Sequence, residues 1–192
     1  MASELDPIRP FVAMQVDLTL NDLLMNGSAR QQIDLFRRGE LQAVVIADFS
    51  GPAHEQAILQ ETFHLTRALS ADSAAVVCDV MYTVISGDCL PSAPTRDPSA
   101  QEAIWVEMIC ADYSEWTIIP YGRDDGGNVY LKQTIGADQR CDAFAGMVSV
   151  GLSQALAQDP HQLVRDDLIE ALRRLHELDT LVQLVPTFWT TT

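Results

Sequence analysis

The sequence predicts an α+β fold: one domain over residues 1–192, with a mixed sheet that starts as a β-α-β unit, continues as an antiparallel meander and carries helices packed on it. Two apolar runs joined by a segment with helical spacing predict the β-α-β unit. Alternating apolar and polar residues around a glycine-rich turn predict the meander. A length of 192 residues is typical of one domain.

The first forty residues predict one strand and two helices. Apolar residues alternate from Val12 to Leu18, which indicates a strand with one buried face. A short helix follows and ends at Gly27. Residues 28–31, Ser-Ala-Arg-Gln, resemble a capping box and predict a second helix that ends at Gly39.

Residues 41–85 form the predicted β-α-β unit. The first strand, 41–49, is apolar on both faces at its centre, which predicts a central position in the sheet. Pro52 suits the first turn of the helix that follows, and residues 74–85 form a second strand rich in Val and Ile. The predicted apolar side of the helix consists of Ile58, Thr62, Leu65 and Leu69.

Residues 86–132 predict a loop followed by an antiparallel meander. Three prolines make 86–101 a loop, and 102–110 alternates as a strand does. Residues 116–122 form a further strand, in which Pro120 predicts a sheet edge or a bulge. A glycine-rich hairpin turn at 124–127 then reverses the chain.

The sequence after the meander predicts two helices. Asp138 can cap a helix that runs to about Gln158, and Asp159-Pro160 starts a C-terminal helix over 159–185. The apolar face of this last helix is too wide for a simple two-stranded coiled coil, so we expect it to pack on its own domain and at an oligomer interface. Alternatively, the helix ends near Thr180 and residues 181–185 form a strand. A short tail, 186–192, follows.

Charge and cysteine content limit the possible partners and compartments. The chain has 12 basic and 27 acidic side chains, so 12 − 27 gives a net charge of −15, which disfavours direct contact with nucleic acid or anionic membranes. No run is long and apolar enough to span a membrane, and residues 1–11 do not resemble a signal peptide. The four cysteines, Cys78, Cys89, Cys110 and Cys141, form no C-x-x-C pair. We therefore expect a cytoplasmic protein with reduced thiols.

Catalytic candidates lie at the junction between the first central strand and its helix. Asp48 ends the strand and His54 begins the helix, so the two could act as a general acid and base. The same residues also suit ordinary helix capping, which we favour. His54-Glu55 begins an H-E-x-x-H pattern, but Ile58 stands where the second His is required, so no metal is expected.

Asp79 is the third candidate, because it lies in the middle of an apolar run. A buried carboxylate must be paired or protonated, and both states are typical of functional sites. The alternative is that Asp79 faces solvent or meets an arginine. No nucleotide-binding glycine motif occurs, so no cofactor is expected.

Three functions follow from these patterns. The leading expectation is a non-catalytic cytoplasmic protein that acts through protein–protein association, as a homodimer or with another protein. The second is a hydrolase-like enzyme that uses Asp48 and His54 with Asp79 or Glu107 in support. The third is an acidic mimic that inhibits a nucleic-acid-binding protein, which requires its carboxylates to cluster on one face.

Overall fold

The computed structural model describes residues 4–47, 52–85, 88–92, 100–137, 147–157 and 165–185. The helices are α1 (Arg9–Asn26), α2 (Pro52–Ala68), α3 (Met147–Leu156) and α4 (Arg165–Glu177). The strands are β1 (Gln31–Arg37), β2 (Glu40–Ala47), β3 (Ser73–Ile85), β4 (Asp88–Ser92), β5 (Gln101–Cys110), β6 (Ser114–Arg123), β7 (Val129–Leu131), β8 (Ile135–Ala137) and β9 (Leu181–Leu184).

The predicted α+β class is confirmed, but among the described strands the sheet is antiparallel and not mixed. Its order is β7-β6-β5-β3-β1-β2-β9, with β4 paired to β3 and β8 to β6. Within the described ranges every paired strand is antiparallel to its neighbour. The β2-α2-β3 unit exists and its two strands run parallel, but β1 lies between them.

The β1–β2 hairpin explains this insertion. Arg38 and Gly39 have φ values of 54° and 77°, which are the left-handed conformations of a tight two-residue turn. A Cβ on Gly39 would also lie 2.6 Å from the Cβ of Pro7. The turn therefore requires glycine, and it folds β1 back beside β2 before α2 begins. Gly39 is a hairpin residue and not the helix cap that the sequence predicted.

The predicted strand at Val12–Leu18 is wrong, since these residues lie within α1. Pro10 stands in its first turn, and Gly27 ends it with a left-handed φ of 73°. Val12, Thr19 and Leu23 are buried at helical spacing. Apolar residues on the outer side of the helix produced the misleading alternation.

The predicted helix after residues 28–31 is also wrong, because Gln31–Arg37 is strand β1. Both faces of this strand are covered: Ile33 and Leu35 belong to one core cluster and Phe36 to another. A strand buried on both faces has no period-two signal, and tertiary packing overrides its local pattern.

The predicted elements of residues 41–85 agree more closely with the structure. β2 covers Glu40–Ala47, α2 begins at Pro52 as expected, and β3 covers Ser73–Ile85. The predicted apolar side of the helix is buried throughout, at Ile58, Thr62 and Leu65 in α2 and at Leu69 directly after it.

The meander is confirmed as β5, β6 and β7, joined through the predicted turn at 124–127. Residues 88–92, predicted as loop, form β4. Pro120 lies where the neighbour of β6 changes, since β8 pairs with 116–118 and β7 with 121–123. Proline cannot donate a ladder hydrogen bond, so it suits this gap between two short strands.

The C-terminal segment follows the alternative interpretation. Within the described residues α4 ends at Glu177, and Leu181–Leu184 forms β9, which pairs with β2. The predicted start points at Asp138 and Asp159-Pro160, and the tail 186–192, lie outside the described residues.

The sheet has two differently covered faces. On the helical face, α2, α3 and α4 pack on residues such as Leu35, Val45 and Val76. On the α1 face, that helix packs on residues such as Val77 and Ile104. None of the helices in the described ranges is both long and apolar enough to cross a membrane.

Candidate functional site

His54 lies in the first turn of α2 and is half-buried. Its Nε2 is 3.1 Å from the carbonyl oxygen of Leu178, so it links the start of α2 to the chain just after α4. Asp48 lies outside the described residues. The observed contact of His54 therefore ties α2 to the segment after α4, and its predicted partnership with Asp48 stays a prediction.

Asp79 lies on the α1 face, at the centre of a small polar cluster. The hydroxyl of Tyr121 donates to both carboxylate oxygens of Asp79, at 2.9 and 3.0 Å. Burial raises the pKa of Asp79, and the hydrogen bond from Tyr121 opposes this shift. Burial and the Asp79 charge likewise raise the pKa of Tyr121.

The Asp79 cluster also holds the end of α1. Arg123 is 3.4 Å from the carboxylate of Glu102, whose Oε1 lies 3.4 Å from the Tyr121 hydroxyl. The same arginine donates through Nη2 to the carbonyl of Gly27, at 2.9 Å. Helix C-termini leave carbonyls without helical partners, so this contact stabilises the end of α1.

The predicted enzymatic residues do not all converge. His54 belongs to α2 on the helical face, whereas Asp79 contacts Tyr121 within the core cluster of the α1 face. Glu107 lies on the helical face, since it bonds to Ser149 of α3. The sheet therefore lies between α2 and the side chain of Asp79, and joint action of Asp79 with Asp48 and His54 stays a prediction.

Glu107 lies on the helical face and is buried, with 2% of its surface exposed. Ser149 donates to its Oε2 at 2.5 Å, and the indole of Trp105 donates to the same oxygen at 3.2 Å. Burial raises its pKa, and the Ser149 hydrogen bond opposes the shift. Within the described chain Oε1 has no hydrogen-bond partner. This arrangement anchors α3 to the sheet.

Asp34 was missed as a candidate because its segment was predicted as a helix. It is fully buried in β1, and its Oδ1 accepts a hydrogen bond from Gln32 at 2.7 Å. Its Oδ2 has no partner among the described residues. Burial raises the pKa of Asp34 to about 7. A Glu or Asp inside a strand whose neighbours are all apolar is the signal that could have identified it.

The thiols of Cys78 and Cys110 are poor nucleophiles, because burial raises the pKa of each. Cys78 and Cys110 are free, and burial raises the pKa of Cys78 to about 12. The ligand atoms of Glu4, Cys110 and Asp112 lie within 4.8 Å of one another, a grouping that could accept a metal ion. Both carboxylates are exposed, and exposed acidic groups are common without a metal.

The outer side of α1 carries an exposed apolar surface. We define its outer stripe as Met14, Leu18, Asn21 and Met25, which recur at spacings of 4, 3 and 4. Met14, Leu18 and Met25 are 48%, 53% and 83% exposed. These positions form one side of a helix, opposite the buried residues.

The apolar face of α4, predicted at an oligomer interface, is used within the chain. Leu168, Ala171 and Leu175 are buried in the core of the helical face, and Leu172 packs against them. Ile169, at 50% exposed, lies outside this face. The width of the pattern in α4 therefore reflects contacts with α2 and β9, which leaves α1 as the helix with an exposed apolar side among those described.

These features define an α+β protein whose described polar clusters tie helices to the sheet and whose first helix presents an apolar stripe. No protein-family model, curated protein or solved structure matches the chain. Function must therefore be inferred from the arrangement of the side chains.

Proposed function

We propose that this protein acts by association with protein chains, as a homodimer in the cytoplasm, and not by catalysis. The observation that carries the proposal is the exposed outer stripe of α1. Large apolar side chains on one side of a surface helix are typical of an association surface. The thiols of Cys78, which is half-buried, and Cys110, which is buried, are both free and support a reducing compartment.

The stripe is presented on a helix held at both ends. Near its start, Arg9 forms an ion pair with Glu115 at 2.6 Å, and at its end Arg123 binds the Gly27 carbonyl. A surface that is ordered before binding loses less conformational entropy when a partner arrives.

The exposed area is of the right size. The exposed parts of Met14, Leu18 and Met25 in the stripe, together with Leu24 at its edge, come to on the order of 400 Å². A standard interface buries roughly 800 Å² on each partner, of which somewhat more than half is apolar. One α1 on each side of a dimer therefore supplies most of the apolar area required.

Light scattering coupled to size exclusion at micromolar concentration tests the proposal. We expect the wild-type chain to elute with twice its monomer mass of 21.2 kDa. Leu18→Lys is expected to give the monomer, because it places a charge in the centre of the interface. Ile169→Lys is the matched control, since Ile169 has almost the same exposure on α4.

A monomeric wild type at these concentrations would overturn the homodimer. If Ile169→Lys dissociates the dimer and Leu18→Lys does not, the interface is on α4 and the assignment to α1 is wrong. Circular dichroism of both variants establishes that they remain folded.

A further inference from the structure

We propose that the two α1 helices of the dimer run antiparallel, with Met14 of one chain opposite Met25 of the other. This inference rests on the proposed function, since it names the occupant of the outer stripe as a second copy and gives its orientation. It is argued from the acidic residues beside the stripe.

The two acidic residues of α1 flank the stripe on opposite sides. Asp17 precedes Leu18, and Asp22 follows Asn21. In the heptad of the stripe Met14 and Asn21 take position d, Leu18 and Met25 take position a, and the aspartates take g and e. They are therefore five residues apart on the two edges of the interface.

A parallel pair would bring these aspartates together. In a parallel helix dimer a g residue faces the e residue five positions later in the partner. Asp17 of each chain would then face Asp22 of the other, which gives two symmetric contacts between like charges. A chain of net charge −15 offers little to offset them.

An antiparallel pair avoids both contacts. There e residues face e residues and g residues face g residues, so Asp22 lies near Gln15 of the second copy and Asp17 near Leu24. The Gln15 amide can donate a hydrogen bond to the Asp22 carboxylate. Opposed helix dipoles add to the preference.

Asn21 is the one feature that a parallel pair would use better, because the two Asn21 amides could then bond to each other. In the antiparallel pair Asn21 faces Leu18 of the second copy, close to the two-fold axis. Its side chain is exposed in the single chain, and in the antiparallel pair it gives up only the bond to a second Asn21. The loss is therefore one hydrogen bond against two repulsive contacts.

Disulfide cross-linking distinguishes the two orientations. Met14→Cys and Met25→Cys are made in chains of different mass, mixed, oxidised and separated without reductant. In the antiparallel dimer the two introduced cysteines face each other, whereas two copies of position 14 lie about 16 Å apart, beyond disulfide reach. We expect at least tenfold more cross-link in the mixture than in either variant alone.

Ile169→Cys and the wild-type chain are the controls for non-specific oxidation. Self-linking of Met14→Cys alone would show a parallel pair and overturn this inference while the proposed function stands. If scattering shows a dimer but neither variant links alone or in the mixture, the interface is not on α1 and the inference fails. A monomeric wild type overturns both.

Discussion

The hydroxyl of Tyr121 on β6 donates to both oxygens of Asp79 on β3, across the intervening strand β5. Tyr121 is buried, and Asp79 is half-buried. The pair joins β3 to β6 over β5 on the α1 face and lies beside the arginine that holds the end of α1. Its geometry therefore supports a positioning role for Asp79 in the fold.

Tyr121→Phe is expected to lower the free energy of unfolding by about 1–3 kcal/mol, because it removes the donor to a partly desolvated carboxylate. Urea denaturation measures the change. Tyr130→Phe is the control, since Tyr130 is exposed and its variant should stay within about 0.5 kcal/mol of wild type. Equal losses in the two variants would contradict the importance of the Tyr121–Asp79 bond.

Asp34 makes stability fall as pH rises. Its folded-state pKa of about 7 lies above the unfolded value of roughly 4, so the folded state binds the proton more tightly. The resulting stabilisation is fully present below pH ~4 and is lost as pH rises through ~7, a total of roughly 4 kcal/mol.

Asp34→Asn removes this dependence, because its amide does not titrate. We expect the variant to be more stable than wild type at pH 8 and to show a flatter profile between pH 4 and 7. Urea denaturation at four pH values measures both. Asp125→Asn, at an exposed turn position, controls for the loss of one negative charge. A wild-type slope that survives in Asp34→Asn would exclude Asp34 as its source.

Ser149→Ala tests the anchoring of α3. Glu107 would lose its shortest hydrogen bond in a buried setting, so we expect a loss of about 1–3 kcal/mol. Ser153→Ala on the same helix is the matched control, because Ser153 bonds only to a carbonyl within α3. Thermal and urea unfolding give the comparison, and similar losses in both variants would mean that the Glu107 contact has no special weight.

Salt is expected to strengthen the dimer. Each chain carries a net charge of −15, so the two copies repel one another, and the outer stripe itself contains no charged residue. Raising NaCl from about 20 to about 300 mM screens the repulsion and lowers the dissociation constant by about tenfold or less. Sedimentation equilibrium measures it. A dimer that weakens with salt would instead be held by ion pairs.

The local sequence pattern was enough to predict several secondary-structure elements correctly. The apolar run of β2, the proline at the start of α2 and the buried side of that helix all appear in the structure as predicted. These elements combine a strong period with a residue that starts or stops the backbone. The turn at 124–127 belongs to the same group, because glycine and aspartate specify its geometry by themselves.

The residues of the candidate site were harder to predict from the sequence than these elements. Asp79 was identified because a charge stood in an apolar run, but its partner Tyr121 is 42 residues away and could not be inferred. Asp34 was missed because its strand was predicted as a helix, and the outer stripe was missed because part of α1 was predicted as a strand. Both errors fell where apolar residues occur on two sides of an element, so the spacing of apolar residues did not follow the true secondary structure.

Composition and local spacing thus determined the α+β class, the net negative charge and those segments in which only one side is buried. Tertiary packing decided that β1 inserts between β2 and β3 and that the apolar face of α4 is buried in the core. It also decided that α1 is the helix with exposed apolar residues on its outer side. The reason is physical: a side chain's hydrophobicity is a local property, whereas whether it is covered depends on strands and helices brought together from distant parts of the chain.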